Sequence, residues 1–179
     1  MRLAIAVLIL ALGGAALAQQ HQQHQQHQQP HQPYAGMQQR SVKALSDQQI
    51  ADLKAGRGMG LALAAELNGY PGPMHTLELA SQIKLSAEQI TELRRLYEAM
   101  KAEAIVAGER LIASERDLDH AFASGTIAPD ALALLTARIG EHQGALRAVH
   151  LRYHLSTAAM LNAEQRQRYA ELRGYRSRN

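Results

Sequence analysis

The sequence predicts an all-α protein, built as a long antiparallel helical hairpin with short N-terminal helices and a short C-terminal helix. Between Leu85 and Leu161, apolar residues recur at alternating steps of three and four, the spacing of a helix that packs along another helix. Gly125 interrupts this stretch, so its two halves are expected to fold back on each other. We find no segment that is typical of a strand.

The first long helix has a clear start. Ser86 can cap a free backbone N–H, Gln89 can reach back to the cap, and Leu85 can pack on Ile90. The return helix starts near Pro129, a residue favoured in a first turn. On the first long helix, the residues predicted to be buried are Ile90, Leu93, Tyr97, Met100, Ala104, Ala107, Leu111 and Leu118, with Ser114 as a polar member. On the return helix, they are Leu135, Ile139, His142, Leu146, Val149 and Tyr153.

Shorter helical segments flank the hairpin. The cap pattern of Ser86 recurs at Ser46 and at Asn162, which predicts helices that start there. The three capping boxes are expected to be independent of one another. Leu151, Leu155 and Ala158 lie off the main stripe of the return helix, so its C-terminal half should pack on more than one side. The other predicted apolar segments run from Met59 to Leu67, from Met74 to Ile83 and from Leu161 to about Gly174, with a rigid turn at Tyr70–Pro73.

The N-terminus predicts export. Residues 1–18 combine a basic Arg2, an apolar run of about 15 residues and a small-x-small end at Ala16–Ala18, as in a cleaved signal peptide. Retention as a membrane anchor is the alternative, although the run is shorter than a bilayer needs. Residues 19–39 are rich in Gln and His and are expected to be a disordered tail, which leaves 40–179 as the helical-hairpin domain.

Composition argues against several classes of function. The chain has 19 basic and 16 acidic residues, interleaved along the helices, so a nucleic-acid partner is not indicated. It has no cysteine, hence no disulfide and no thiol chemistry. No catalytic arrangement stands out, and the glycines at 56, 58 and 60 suggest a hinge instead of a phosphate loop. We therefore expect a protein that is not an enzyme and has no organic cofactor. The packing between its helices would be limited, and we expect a homodimer to stabilise it.

Histidines in the tail could collect metal ions. His21, His24 and His27, followed by His31, offer imidazoles at short spacing, and an incidental low-complexity tract is the alternative. After cleavage at Ala18, the new N-terminal amine, two backbone nitrogens and His21 could also hold Cu(II) or Ni(II) in a plane. Mass spectrometry of the mature N-terminus tests this hypothesis, because a blocked Gln19 would remove the amine.

His150 and His154 are the candidate ligands in the folded domain. Their spacing of four puts both imidazoles on one helix face, where they could share a divalent transition metal such as Zn, Ni, Cu or Co. Glu66, Met74 and His75 flank the Tyr70 turn and could complete the site. The alternative is an ordinary pair of histidines with hydrogen-bond partners. We expect His142 to be a satisfied core residue and His120 to be solvated.

These features resemble the exported helical-hairpin family that includes CpxP, Spy, ZraP and CnrX. The family signature, L-T-x-x-Q at helix starts, is similar to residues 85–89 and 161–165, where Ser86 and Asn162 replace the Thr. The segment from Met59 to Leu79 and the later His-x-x-x-His look more like the metal-sensor branch. His150 and His154 stand where the nickel and cobalt sensor has His-x-x-x-Met, and its earlier His-x-x-x-His pair has no counterpart here.

The resemblance implies a bacterial periplasmic dimer of interlocked hairpins. Its members include metal sensors, envelope stress regulators and chaperones that bind unfolded clients. The leading expectation is a periplasmic metal-binding protein, a sensor or buffer, with a membrane sensor protein as a possible partner. The alternative is an ATP-independent holdase chaperone or envelope stress regulator whose partners are unfolded envelope proteins.

Overall fold

The structure, a computed structural model, describes residues 33–176. The chain divides into two units, residues 1–36 and 37–179, and the second contains all the helices named here. The predicted signal peptide and most of the predicted tail lie outside the described residues. A 3-10 turn at Met37–Gln39 precedes α1 (Asp47–Lys54), α2 (Leu63–Glu66), α3 (Pro73–Glu78), α4 (Ala87–Ala123), α5 (Pro129–Met160) and α6 (Ala163–Leu172).

The predicted antiparallel hairpin is confirmed. Helix α4 has 37 residues and α5 has 32, so they span about 55 Å and about 48 Å at 1.5 Å per residue. Three side-chain contacts fix their antiparallel register: His142 bonds Ser114 at 3.1 Å, Tyr153 bonds Glu103 at 2.6 Å, and Gln89 donates to the Met160 carbonyl at 2.8 Å. Gly125, at φ +69°, ends the first helix, and Pro129 opens the second, as predicted.

The core follows the predicted stripes in part: Ile90, Leu135 and His142 are only partly buried, whereas Leu96 and Ile112, which were not predicted, are buried. Leu93 and Ala104 are fully buried, and Ser114 is almost so, because its hydroxyl donates to the Leu111 carbonyl at 2.9 Å. On the second side of α5, where further packing was predicted, Ala158 is buried while Leu155 stays exposed. Helices α2 and α3 provide this partial cover. The core cluster includes Leu96, Met100, Leu111, Ile112, Ile139, Leu146, Val149 and Tyr153.

Helix α1 packs across α4 at a glycine. Ser46 caps α1 with the predicted capping box, and Ile50 and Leu53 are the buried residues of the helix. A Cβ on Gly108 of α4 would lie 2.7 Å from the carbonyl oxygen of Leu53, so only the absence of a side chain lets the two helices approach this closely.

Two of the short helices are shorter than predicted. Of the apolar segment Met59–Leu67 only Leu63–Glu66 is α-helical, because Met59 and Gly60 adopt positive φ of 43° and 80° and hold the chain in a turn. The segment Met74–Ile83 is helical only to Glu78, after which a turn closes with Lys84 at φ +54°. In these places, tight turns replace the helix that apolar periodicity predicted.

The capping boxes of α4 and α6 are joined to each other. The Gln89 and Gln165 side chains cap their own helices and also donate reciprocally, amide to amide, at 3.1 and 3.0 Å. Gln89 further donates to the Met160 carbonyl, and Gln165 to the Lys84 carbonyl. The capping boxes were expected to be independent of one another, whereas the side-chain amides of Gln89 and Gln165 are hydrogen-bonded to each other.

Among residues 33–176, no helix combines the length and the apolar character needed to cross a bilayer.

Candidate metal centre

All five candidate ligands of the folded domain line one cleft. The cleft has a volume of about 640 Å³ and lies between the hairpin and the segments that include α2 and α3. The tail candidates His21, His24 and His27 lie outside the described residues. The lining residues that were predicted as ligands are Glu66, Met74, His75, His150 and His154.

His150 is the most deeply buried of the five candidate ligands. It is 2% exposed, and its Nε2 is the one buried side-chain nitrogen or oxygen between residues 33 and 176 that has no hydrogen-bond partner. Burial, and to a lesser extent the neighbouring His154, lowers the pKa of His150 below its ordinary value. The ring is therefore neutral at neutral pH and has one nitrogen lone pair available.

His154 is oriented by the turn that precedes α3. Its Nδ1–H donates to the Tyr70 carbonyl at 2.7 Å, so that in the neutral ring the lone pair is on Nε2. That nitrogen lies against Gly72, where a Cβ would come within 2.7 Å of it. A ring fixed through one nitrogen, with the other left bare, is the usual arrangement of a metal-binding histidine.

Glu66 is held by several donors at once. Its Oε2 accepts the Gly72 N–H at 3.1 Å, and its Oε1 accepts the hydroxyls of Tyr169 and, at 3.2 Å, of Tyr175. Arg173 adds its charge 4.0 Å away. This carboxylate therefore ties α2 to the turn before α3 and to the C-terminal segment, and its lone pairs are largely occupied.

His75 and Met74 stand at the rim of the cleft. Both belong to α3, where Pro73 provides the first turn and Gly72 precedes it as the cap residue. The His75 side chain is 34% exposed, and its Nδ1 lies 3.9 Å from Oε1 of Glu66. Because neither side chain is packed into the core, both could move toward an ion held by the deeper histidines.

Several residues of the site were missed by sequence reasoning. Met59 and Met100 also line the cleft. Met100 was assigned to the core stripe, where it indeed lies, and Met59 to the start of the apolar segment Met59–Leu67. The donors from Tyr169 and Tyr175 lie more than 100 positions from Glu66 in the sequence. No local pattern could have identified them, although a buried glutamate always needs such partners.

The other two histidines of the helices behave as expected. His142 is half-buried and hydrogen-bonded to Ser114, and His120 is exposed in the last turn of α4.

Two imidazoles one helical turn apart, with further donors at the rim, can hold a soft or borderline ion. In the described part of the chain, no three His, Asp or Glu side chains are already grouped closely enough to hold one. Ion binding would therefore require the rim side chains to close over the histidine pair.

Comparison with known proteins returns nothing for this chain: no family model, no curated protein and no solved structure matches it.

Proposed function

We propose that this protein binds a transition-metal ion in the cleft, without enzymatic activity, and serves as a sensor or buffer of that ion. The observation that carries the proposal is the unpartnered Nε2 of His150, one helical turn from the oriented ring of His154. A buried nitrogen without a partner costs about 1–3 kcal/mol of stability. A metal ion at this place would satisfy it.

The cellular setting of the proposal rests on the sequence. A signal peptide at 1–18 and a helical hairpin with L-T-x-x-Q-like helix starts support a periplasmic protein of the Spy, CpxP and CnrX type. In this setting the hairpin is a homodimeric scaffold, and the ion-bound form is recognised by a membrane sensor protein. The tail histidines His21, His24 and His27 act as a weak collector of ions.

The proposal is tested by thermal unfolding with Ni(II), Cu(II), Zn(II) and Co(II) in turn. An ion that binds only the folded state adds about 2.7 kcal/mol at a hundredfold excess over its dissociation constant. Replacing both His150 and His154 with Ala should abolish this gain. The matched control is His120→Ala, which removes an exposed histidine outside the cleft and should leave the gain unchanged.

A second variant separates binding from folding. His150→Leu fills a similar volume and removes the unpartnered nitrogen, so the metal-free protein should be as stable as the parent or more stable, while the response to metal is lost. A metal response that survives in both the double-Ala and the His150→Leu variants would refute the proposed site.

A holdase chaperone is the second candidate, favoured by apolar side chains that remain exposed. Phe122 is 56% exposed and Leu134 69% exposed, on either side of the loop that joins the long helices. Val106 and Leu155 are also exposed. Suppression of a model client's aggregation that persists in chelator would favour this function, whereas suppression that requires the ion would combine the two.

A further inference from the structure

We infer that the cleft selects copper as Cu(I), bound by imidazole nitrogens together with methionine thioether sulfurs. This inference rests on the proposed metal-binding function and specifies its ion. Of the chain's six methionines, three line this cleft: Met59, Met74 and Met100. Thioether sulfur is a soft donor that favours Cu(I), whereas the sulfur ligand of Zn(II) is the cysteine thiolate, which this chain lacks, and Ni(II) is suited by imidazole.

The oxygen donor of the cleft is already engaged. Glu66 receives the Gly72 N–H and the hydroxyls of Tyr169 and Tyr175, so coordination through its carboxylate would leave buried donors unpaired. Glu66 is also the one carboxylate that lines the cleft. The donors that remain available are therefore the imidazoles and the thioethers, a set that carries no negative charge.

The charges around the cleft favour a monovalent ion. Lys101 is a lining residue, as is Arg57, whose charge is paired with Asp52, and the single negative charge of Glu66 is offset in part by Arg173 at 4.0 Å. Each additional positive charge on a bound ion increases its repulsion from these cations. A Cu(I) ion meets half the repulsion that a divalent ion would meet at the same position.

Met59 adds an independent observation. It lies between Gly58 and Gly60 and adopts φ +43°, a left-handed conformation that costs a residue with a side chain more than it costs glycine. The neighbouring Gly58 approaches the His150 ring, since a Cβ there would lie 3.7 Å from Nδ1. The strained backbone therefore holds a methionine at the mouth of the cleft, beside the buried imidazole.

The test is an anaerobic Cu(I) titration in ascorbate, with bicinchoninate as competitor. It uses the full chain with His21→Ala, His24→Ala, His27→Ala and His31→Ala, so that the tail histidines do not contribute. One Cu(I) per chain is expected. The double variant Met59→Leu/Met74→Leu keeps the side-chain volume and should weaken Cu(I) binding by at least about tenfold. Met160→Leu, outside the cleft, is the matched control and should bind like the parent.

Copper K-edge absorption gives a second readout, because sulfur neighbours should appear in the parent and diminish in the double variant. Unchanged Cu(I) affinity in Met59→Leu/Met74→Leu, or a copper spectrum without sulfur, would overturn the inference. If another ion stabilises the fold through His150 and His154 while Cu(I) does not bind, the ion assignment fails and the proposed function stands. If no ion binds, both fail.

Discussion

Replacing Gly108 with Ala should destabilise the protein, although the same change elsewhere on the hairpin should stabilise it. In a helix interior, Ala is better than Gly by about 1 kcal/mol. That gain should appear in Gly144→Ala, because a Cβ there meets no atom within 4 Å. At position 108 the new Cβ would lie 2.7 Å from the Leu53 carbonyl oxygen, which is closer than real Cβ contacts come.

The magnitude follows from comparing the two variants. Both variants gain the same helix propensity from Ala. The difference between their free energies of unfolding therefore measures the cost of forcing α1 away from α4. Overpacking of this kind costs about 1–3 kcal/mol. The Leu53 carbonyl also accepts the Gly56 N–H at 3.1 Å, so it cannot move without disturbing the end of α1. Gly108→Ala should therefore be less stable than Gly144→Ala by about 1–3 kcal/mol.

Urea unfolding, followed by circular dichroism at 222 nm, measures this difference, provided that both variants keep the parent's m-value. Equal free energies of unfolding for the two variants would contradict the reasoning, since they would mean that α1 does not rest on α4 at this glycine. A loss of helix signal confined to one variant would be visible in the same spectra before urea is added.

Two further predictions concern buried acids. Tyr169→Phe removes a buried hydroxyl that donates to Glu66, so it should lower the free energy of unfolding in urea by about 1–3 kcal/mol. Tyr175 is less buried, so Tyr175→Phe should lower it by less. Equal losses in the two variants would be evidence against this hydrogen-bond network. Burial, reinforced by Asp119, raises the pKa of Glu115 above its ordinary 4.5, so ionisation destabilises the fold. Glu115→Gln should therefore raise the midpoint of thermal unfolding at pH 7 but have little effect at pH 4, and a gain of equal size at both pH values would contradict this.

Much of the fold could be predicted because it depends on local chemistry. The starts of α1 and α4 are set by Ser46 and Ser86 with a glutamine three residues on, and both capping boxes form as the pattern predicted. The long helices have enough turns for apolar periodicity to be unambiguous. The segments around Met59 and Lys84 were mispredicted because positive φ at non-glycine residues has no signature in hydrophobic periodicity.

Only part of the candidate site could be predicted from the sequence. The spacing of His150 and His154 is local, so their shared face could be predicted, and the flanking His75 does line the same cleft. What the sequence could not indicate is which donors are free. The lone pair of His154 Nε2 depends on a carbonyl 84 positions away, and the engagement of Glu66 depends on the C-terminal segment.

The paired amides of Gln89 and Gln165 link the first turns of α4 and α6, helices that start 76 residues apart in the chain. Helix ends normally fray independently and exchange their amide hydrogens fastest. Here, each glutamine makes its full set of four hydrogen bonds, so opening one helix end leaves the partner amide unsatisfied. The two first turns should therefore open as one cooperative unit, with matched exchange rates.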